Sequence, residues 1–355
     1  MSRSDVQYDS AETLQNAVEN RRNKGFYAII ALAIGIFLLF IISLLVGPST
    51  LSFESAVDAL LGNGNWSSDY IVFRLRMPRA ICVALVGAGL SVAGMAMQAM
   101  FRNPMASPSV LGLSSGASFG ASIAIAFGFG GFLGAVATPA MAFVFCFVTI
   151  VLVYAIATTR MGTPVILLLL SGMAVSAMFS GLTSFIQYVV EPDVLQGVVY
   201  WTMGSFSKCL WDSVVVGAVT IISGTILICL CVKELNLISI GEDQAEALGV
   251  NVRRTRAMLL VGTALTVGGG VAIAGIIGFV GLIIPHICRA IAGPDHRLLT
   301  PLCITAGAVF MMVMDLAVKG ITISGGELPI GILTSLLGAP FFIYIMRKRK
   351  DELWG

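Results

Sequence analysis

Apolar runs of membrane-spanning length recur along almost the whole chain. Because about twenty apolar residues cross the hydrocarbon core of a bilayer as a helix, the pattern predicts spans near residues 26–46, 80–100, 108–127, 134–158, 163–187, 213–232, 300–318 and 329–346. A further apolar run, 257–292, is too long for one span, and its Gly-rich sequence at 275–281 provides a turn. Splitting this run gives ten spans, so we expect an all-α polytopic membrane protein.

The polar ends of the chain and its basic residues indicate the orientation. Residues 1–25 and 347–355 carry basic clusters, and cytoplasmic segments of membrane proteins are enriched in Lys and Arg. Both ends are therefore expected on the cytoplasmic side, which requires an even number of crossings, and this parity decides that the run 257–292 forms two spans. That side then holds all of the 21 Lys and Arg residues except those at positions 74, 76, 79, 208 and 319. We therefore expect one transmembrane domain, 26–346, in the cell membrane, between two cytoplasmic tails.

The composition agrees with this class and excludes several others. The chain is 57% hydrophobic and 11% charged, against roughly 25% charged residues in a soluble domain. A net charge of +2 gives no indication of nucleic-acid binding. The seven cysteines have no CxxC spacing, so neither a disulfide framework nor a zinc site is predicted. His286 and His296 are isolated near helix ends, and we predict no metal site.

A polar segment, 241–256, separates the sixth span from the seventh. Its charged residues would each cost about 2.5–3.5 kcal/mol in hydrocarbon, so it lies outside the membrane, on the cytoplasmic side. Ala245, Ala247, Leu248 and Val250 could form an apolar face. The segment is therefore either a surface helix that packs onto another protein or a solvated loop.

The connection 47–79 between the first two spans is predicted to lie outside. Its residues 51–62 have an amphipathic helical pattern, and it ends in the sequence RLRMPR. Arg74, Arg76 and Arg79 in this sequence oppose the charge bias of outer segments. They indicate an acidic partner, an anionic ligand or anchoring to phosphate headgroups.

Asp315 is the acidic residue that falls inside a predicted span. An intramembrane carboxylate can relay protons, as in an ion-coupled secondary transporter, or it can pair with Lys319 four residues further along the helix. No Lys is followed by Ser or Thr, so the Walker A motif for binding ATP is absent. The HExxH motif is absent as well, and no nucleophile elbow between a strand and a helix is predicted, so a membrane enzyme has no motif in its support.

Several long stretches together resemble the permease subunits of ATP-binding-cassette (ABC) importers for cobalamin, iron–siderophore and haem, the FecCD or BtuC-like family. The similarity covers most of the chain from Arg74 to Arg347. It is carried by RMPRAICVALVGAGLSVAGMAMQAMFRNPMASPSVLGLSSGAS (76–118), GEDQAEALGV (241–250), GIIGFVGLIIPHICR (275–289), GPDHRLLTP (293–301) and GELPIGILTSLLGAPFFIYIMR (326–347).

The resemblance implies a ten-span permease that forms a homodimer and associates with two ABC ATPase subunits on the cytoplasmic face. The ATPases would bind ATP and Mg, and the permease itself would have no catalytic residue and no cofactor. The segment 241–256 would be the coupling helices that seat in the ATPases, with Gly249 turning the chain between two short helices. The implied coupling residues are Gly241, Glu242, Ala245, Leu248, Gly249, Arg253 and Arg254.

On the opposite face the resemblance implies docking of an extracytoplasmic substrate-binding protein through Arg76, Arg79 and Lys319. The translocation path would be lined by the fifth and tenth spans, where the polar candidates are Ser180, Ser184, Gln187, Thr334 and Ser335. These hydroxyl and amide side chains do not distinguish siderophore, haem and cobalamin. An ion-coupled secondary transporter is the alternative to this function.

Overall fold

Residues 3–47, 51–160, 162–323 and 326–348 are described by a computed structural model. This part of the chain is almost entirely helical, with one antiparallel hairpin of two short strands. In chain order the elements are α1 (Arg3–Leu45), α2 (Phe53–Leu60), α3 (Trp66–Met100), α4 (Leu113–Ala126), α5 (Gly130–Leu133), α6 (Ala137–Ala157), α7 (Val165–Val189), α8 (Pro192–Thr202), α9 (Trp211–Leu230), α10 (Val232–Ile240), α11 (Glu242–Ala247), α12 (Val252–Ala274), α13 (Val280–Ala292), α14 (His296–Gly320), β1 (Thr322–Ile323), β2 (Gly326–Glu327) and α15 (Ile330–Lys348).

Ten of these helices correspond to the ten predicted spans. Within the described residues, 7 helices are long and apolar enough to cross a membrane, and α4, α13 and the apolar part of α15 are shorter. The division of the run 257–292 is confirmed, because α12 ends at Ala274 and α13 begins at Val280. The tail predicted at 1–25 is helical from Arg3 onward and continues directly into the first span.

The short helices α4 and α13 have 14 and 13 residues, fewer than the roughly 20 that a helix needs to span a bilayer. Irregular backbone completes the α13 crossing, and such backbone is tolerated at membrane depth where protein surrounds it. For example, the carbonyl of Ala274 at the end of α12 accepts a hydrogen bond from the Ser205 amide at 2.7 Å. The break between α12 and α13 is thus supported by the connection 203–210.

Alternating helix directions give the bundle two distinct ends. The insert end carries the polar segment 241–256, and the hairpin end carries β1 and β2. At Gly25, α1 lies against Ala292 and Leu298, which belong to the insert end. The last helix, α15, starts beside the hairpin and runs away from it. The first and last helices therefore both extend to the insert end, as an even number of crossings requires.

The core lies along α3 and α12, the most buried of the long helices. Here α3 crosses α13 and α14 with backbones almost in contact: a Cβ atom on Gly94 would meet the carbonyl of Gly281, and one on Gly87 would meet the carbonyl of Gly307. Such close crossings at small residues give helices in a membrane their van der Waals contact. The sequence GxxxG pattern of α4 packs in the same way, with Gly116 next to the Phe145 carbonyl of α6.

The predicted outer connection 47–79 is partly wrong. The amphipathic helix predicted at 51–62 is confirmed as α2, and the Ser52 side chain caps it. However, α3 begins at Trp66, so the RLRMPR sequence lies inside a helix. Its residues Tyr70–Arg76 form a π-helical turn directly before Pro78. A proline ring lacks an N–H and crowds the preceding turn, and the wider π turn accommodates both effects.

Candidate functional site

The insert at 241–256 is a folded projection with defined helix ends. After a break at Cys231, α9 is followed by α10, which ends before Gly241. Then α11 covers Glu242–Ala247, and after a four-residue turn the chain enters α12. Two short helices were expected on either side of Gly249. The second of these is the first part of the long helix α12, so the projection is continuous with a core helix of the bundle.

Two local signals in the sequence produce the turn between α11 and α12. Gly249 has φ +86, a left-handed conformation that disfavours any residue with a Cβ atom. The amides of Gly249 and Val250 donate to the carbonyls of Glu246 and Ala245 at 2.9 and 3.0 Å, which is the Schellman pattern of a helix C-terminus. The Asn251 side chain then caps α12 by accepting from the Arg254 amide at 2.9 Å.

The underside of the insert is packed and its upper side is exposed. Ala245 is completely buried with Ile238 and Val252 in a small apolar cluster. Leu248, by contrast, is 67% exposed, and Arg253 and Arg254 are exposed too. The predicted apolar face is therefore divided, because Ala245 faces the protein itself whereas Leu248 is available to a partner.

Arg256 was predicted to lie outside the membrane with the other charged residues of the segment, and the structure buries its side chain in the protein. Its Nη2 donates to Glu242 Oε1 of α11 at 2.6 Å, and its Nη1 donates to the carbonyl of Thr163. The sequence does carry a signal for this burial, since helical spacing places Arg256 on the same face as Val252 and Leu259. Because Arg253 and Arg254 lie close by in the sequence, Arg256 was grouped with them as part of a polar segment.

The base of the insert is fixed to the start of α14. Asn236 of α10 donates to Asp295 Oδ1 at 2.8 Å and accepts from the His296 amide at 2.9 Å. The His296 ring also lies 2.7 Å from Asn236 Oδ1. His296 thus has a structural role, and among the described residues no cluster of three or more His, Cys, Asp or Glu side chains could hold a metal ion.

A second polar site lies at the hairpin end, inside the bundle. Arg79 of α3 donates from Nε to Asp315 Oδ1 of α14 at 2.9 Å and from Nη1 to Glu327 Oε1 of β2 at 2.8 Å. Lys319 pairs with Asp315 Oδ2 at 3.0 Å and donates to Ser43 Oγ at 2.7 Å. Two cations and two carboxylates balance in this buried charge cluster, which joins α1, α3, α14 and the hairpin.

The cluster decides between the two interpretations of Asp315. Its pairing with Lys319 at i,i+4 is confirmed, and a second cation, Arg79, holds the same carboxylate. The participation of Arg79 and Glu327 was not anticipated. Arg79 and Glu327 are far apart in sequence, so no local pattern could link them.

The three residues predicted to dock a binding protein are buried in this arrangement. Arg76, Arg79 and Lys319 are 5%, 8% and 7% exposed. Arg76 donates to the carbonyls of Leu44 and Leu45 at 2.8 Å each, where the last carbonyls of α1 attract a cation. The expectation that these side chains are exposed is wrong, because acceptors within the same chain draw them inward. Of the arginines in RLRMPR, Arg74 is exposed.

The predicted path residues lie on two helices. On α7, Ser180 and Ser184 are exposed and Gln187 is half-buried. On α15, Ser335 is exposed, but Thr334 is buried and donates to the Gly331 carbonyl of its own helix at 3.2 Å. Thr334 is therefore covered within the single chain, whereas the exposed serines lie on surfaces that the single chain leaves uncovered.

Comparison with known proteins identifies the class. The chain is 39% identical over 284 residues to the cobalamin import system permease BtuC of Halobacterium salinarum, covering 80% of this chain and 75% of that protein. It is 31% identical to the hemin transport system permease HmuU of Yersinia pestis, covering 91% and 98%. It is also 37% identical to the molybdate import system permease MolB of Haemophilus influenzae, covering 79% and 82%.

The fold agrees with these relatives. A solved structure described as an inward-facing conformation of a metal-chelate type ABC transporter has a TM-score of 0.79 at 32% identity, covering 90% of this chain and 98% of that one. The protein is thus a permease subunit of an ABC importer, without an ATPase site of its own. Its residues 35–348 match the FecCD transport family, and the chain belongs to that family. This membership replaces the secondary transporter and the membrane enzyme as interpretations.

Proposed function

We propose that this permease imports a metal chelate, namely an iron–siderophore, haem or cobalamin, as a homodimer driven by two ATPase subunits. The ATPases dock on the insert, and an extracytoplasmic substrate-binding protein delivers the chelate at the hairpin end. The tails and the insert are cytoplasmic in this proposal. It is supported by the arrival of α1 and α15 at the insert end, which also carries the exposed Arg253 and Arg254.

The proposal rests on one observation: the insert is exposed at its tip and attached to the bundle at its base. A segment that transmits force must present a surface to its partner and be fixed at its base. Leu248 is exposed at the tip, whereas Ala245 is packed below it and Arg256 and Asn236 fasten the base to α12 and α14. A solvated loop needs none of these attachments. An exposed Leu next to two arginines suits a partner groove with an apolar floor and acidic rim.

The homodimer is supported by the uncovered face of α7. Tyr188 is 87% exposed, and Met173 and Phe185 are exposed with it. Between them lie Ser184 and Gly181, and nothing would contact a Cβ atom added to that glycine. Small and hydroxyl residues on a membrane helix favour contact with another helix. In our proposal this face borders the path between two copies of the chain.

The chemistry of the path favours a bulky chelate over a bare ion. No charged residue occurs in α7, and the hydroxyl groups of Ser180, Ser184 and Ser335 are spaced among apolar side chains. A small oxyanion such as the molybdate named for one relative would need compensating cations in a membrane interior. A chelate carries its metal inside an organic shell, so the metal ion itself needs no such charges.

A binding protein could pair with Arg79 only if the buried charge cluster opened. Arg79 can meet a carboxylate of a partner only after Glu327 has released it, whereas Arg74 is exposed in the present arrangement. We therefore assign the first contact with an acidic partner to Arg74. Exposed charge pairs of this kind mainly increase the association rate and set the orientation of the partners.

Photo-crosslinking tests the proposal. A photoreactive amino acid at Leu248 should give an adduct between the permease and an ATPase subunit, in membranes that contain the complete transporter. The same probe at Tyr188 should give an adduct between two permease chains, and a probe at Phe37, which is exposed within the first span, should give neither. Absence of an ATPase adduct from position 248 in an assembled, active transporter would contradict the docking surface.

A further inference from the structure

Arg256 connects three elements through one buried side chain. It lies in the first turns of α12 and is 4% exposed. Its guanidinium bonds to Glu242, the first residue of α11, and to the carbonyl of Thr163. Thr163 lies two residues before the start of α7. The side chain therefore links the insert to the helix that carries Ser180 and Ser184.

The link to α7 is short and stiff. Thr163 is itself buried, and Pro164 joins it to the helix with a fixed φ angle. The Pro164 carbonyl accepts from the amides of Leu167 and Leu168 at 3.1 and 3.2 Å, so the proline belongs to the first turn. Since α7 is one continuous helix, a displacement of its start also moves Ser180, about 22 Å further along the axis.

The guanidinium group of Arg256 should keep Glu242 and Thr163 bonded to it when the insert moves. Arginine holds two acceptors at once through a planar set of donors, which lysine cannot reproduce. A buried cation that loses its acceptors is strongly destabilised, so Glu242 and Thr163 must follow Arg256 when it moves. The main packing partners of α11 are α10 and α12, so packing alone gives the insert little hold on α7.

We infer that Arg256 is a positioning residue that transmits movement of the insert to α7 and thereby to the translocation path. The inference rests on the proposed function, because it takes the insert as the surface on which the ATPases dock. It adds a route: ATPase movement displaces α11, Glu242 carries Arg256 with it, and the Thr163 carbonyl carries the start of α7.

Spin-label distances measure the two ends of this route separately. Cys229, the exposed native cysteine, is replaced by Ser, and one label is placed either at Ala247 of the insert or at Ile166 of α7, both of which are exposed. In the complete transporter the distance between the two copies of each label is measured with and without ATP and vanadate. We expect a nucleotide-dependent shift at both positions in the otherwise unchanged protein.

In the Arg256→Gln variant the shift at position 247 should persist and the shift at position 166 should be lost. Arg256→Lys keeps the positive charge but cannot bond to Glu242 and Thr163 at once, so the shift at position 166 should be lost here too. This variant tests the inference if the Gln variant does not assemble with the ATPases. Arg160→Gln is the matched control, because Arg160 is exposed on the same connection, three residues before Thr163, and should retain both shifts. A shift at 166 that persists in both Arg256 variants overturns the inference. Absence of both shifts in the unchanged protein contradicts the proposed function instead.

Discussion

The buried arginines in the described part of the chain have acceptors that the fold supplies. Arg76 bonds to the last carbonyls of α1, Arg79 to two carboxylates, and Arg256 to a carboxylate and a carbonyl. Isolated charges in a low-dielectric interior are costly, so such groups persist only when they are paired. The pairs also join segments that are distant in sequence. Buried charge here fixes the positions of helices relative to one another.

The charge cluster gives a prediction about stability. Asp315→Asn removes a carboxylate that Arg79 and Lys319 share, which leaves buried positive charge and should cost about 3–5 kcal/mol. The purified protein in detergent should therefore unfold at a clearly lower temperature. The double variant Asp315→Asn/Lys319→Met removes one charge of each sign and should recover part of the loss. Asp193→Asn, an exposed change on α8, serves as the control, and an unfolding temperature of Asp315→Asn equal to the control would contradict the shared role.

Sequence patterns could predict the pairs that lie within one helix but not those between helices. The spacing of Asp315 and Lys319 predicted their contact, because positions four apart in a helix are neighbours. The partners Arg79 and Glu327 lie on elements that only tertiary packing brings together. The same limit explains why Arg76 and Arg79 were expected to be exposed, since their acceptors in α1 and α14 are set by the packing.

At the scale of elements, the hydrophobic pattern was sufficient to predict which segments form helices but not where each helix begins and ends. All ten spans were predicted, including the break inside the run 257–292, because membrane-spanning length is a strong constraint. The second span was predicted to begin at residue 80, because the arginines before it were assigned to the outer connection. In the structure, Asn65 caps the helix at its N-terminus, and α3 continues through these arginines. The insert was predicted at the position in the chain where the structure has it, and its turn at Gly249 follows from local residues.

The turn supports a prediction with a closely matched control. Gly249 and Gly62 both have φ near +80, at +86 and +81, and a Cβ atom would contact nothing at either position. Replacement by Ala should therefore add a similar strain of about 1–2 kcal/mol at each site. Gly62 lies beyond α2, at the hairpin end. We expect Gly249→Ala to lower transport per ATP hydrolysed, while Gly62→Ala lowers stability by a similar amount and leaves coupling intact. Equal coupling in the two variants would argue that the shape of the turn is unimportant.

At the scale of the whole molecule, both faces of the bundle must be assigned to sides of the membrane. The structure places the insert, the part of α1 around Gly25 and the final turns of α15 at one end, and α2, α8 and the hairpin at the other. The excess of basic residues at the insert end favours the cytoplasm for that end. The proposed function places the ATPases in the cytoplasm, so the coupling role proposed for the insert requires the same assignment.

Accessibility to an impermeant thiol reagent tests this orientation directly. In a background with Cys229→Ser, single replacements are made at exposed positions of both ends: Asn63→Cys, Glu191→Cys and Gln244→Cys. The other native cysteines are buried and should react slowly in the folded protein. In intact cells we expect rapid labelling at 63 and 191 and none at 244, and permeabilised cells should label all three. Labelling of position 244 from outside would place the insert on the wrong side for an ATPase, and both the coupling function and the role of Arg256 would then fail with it.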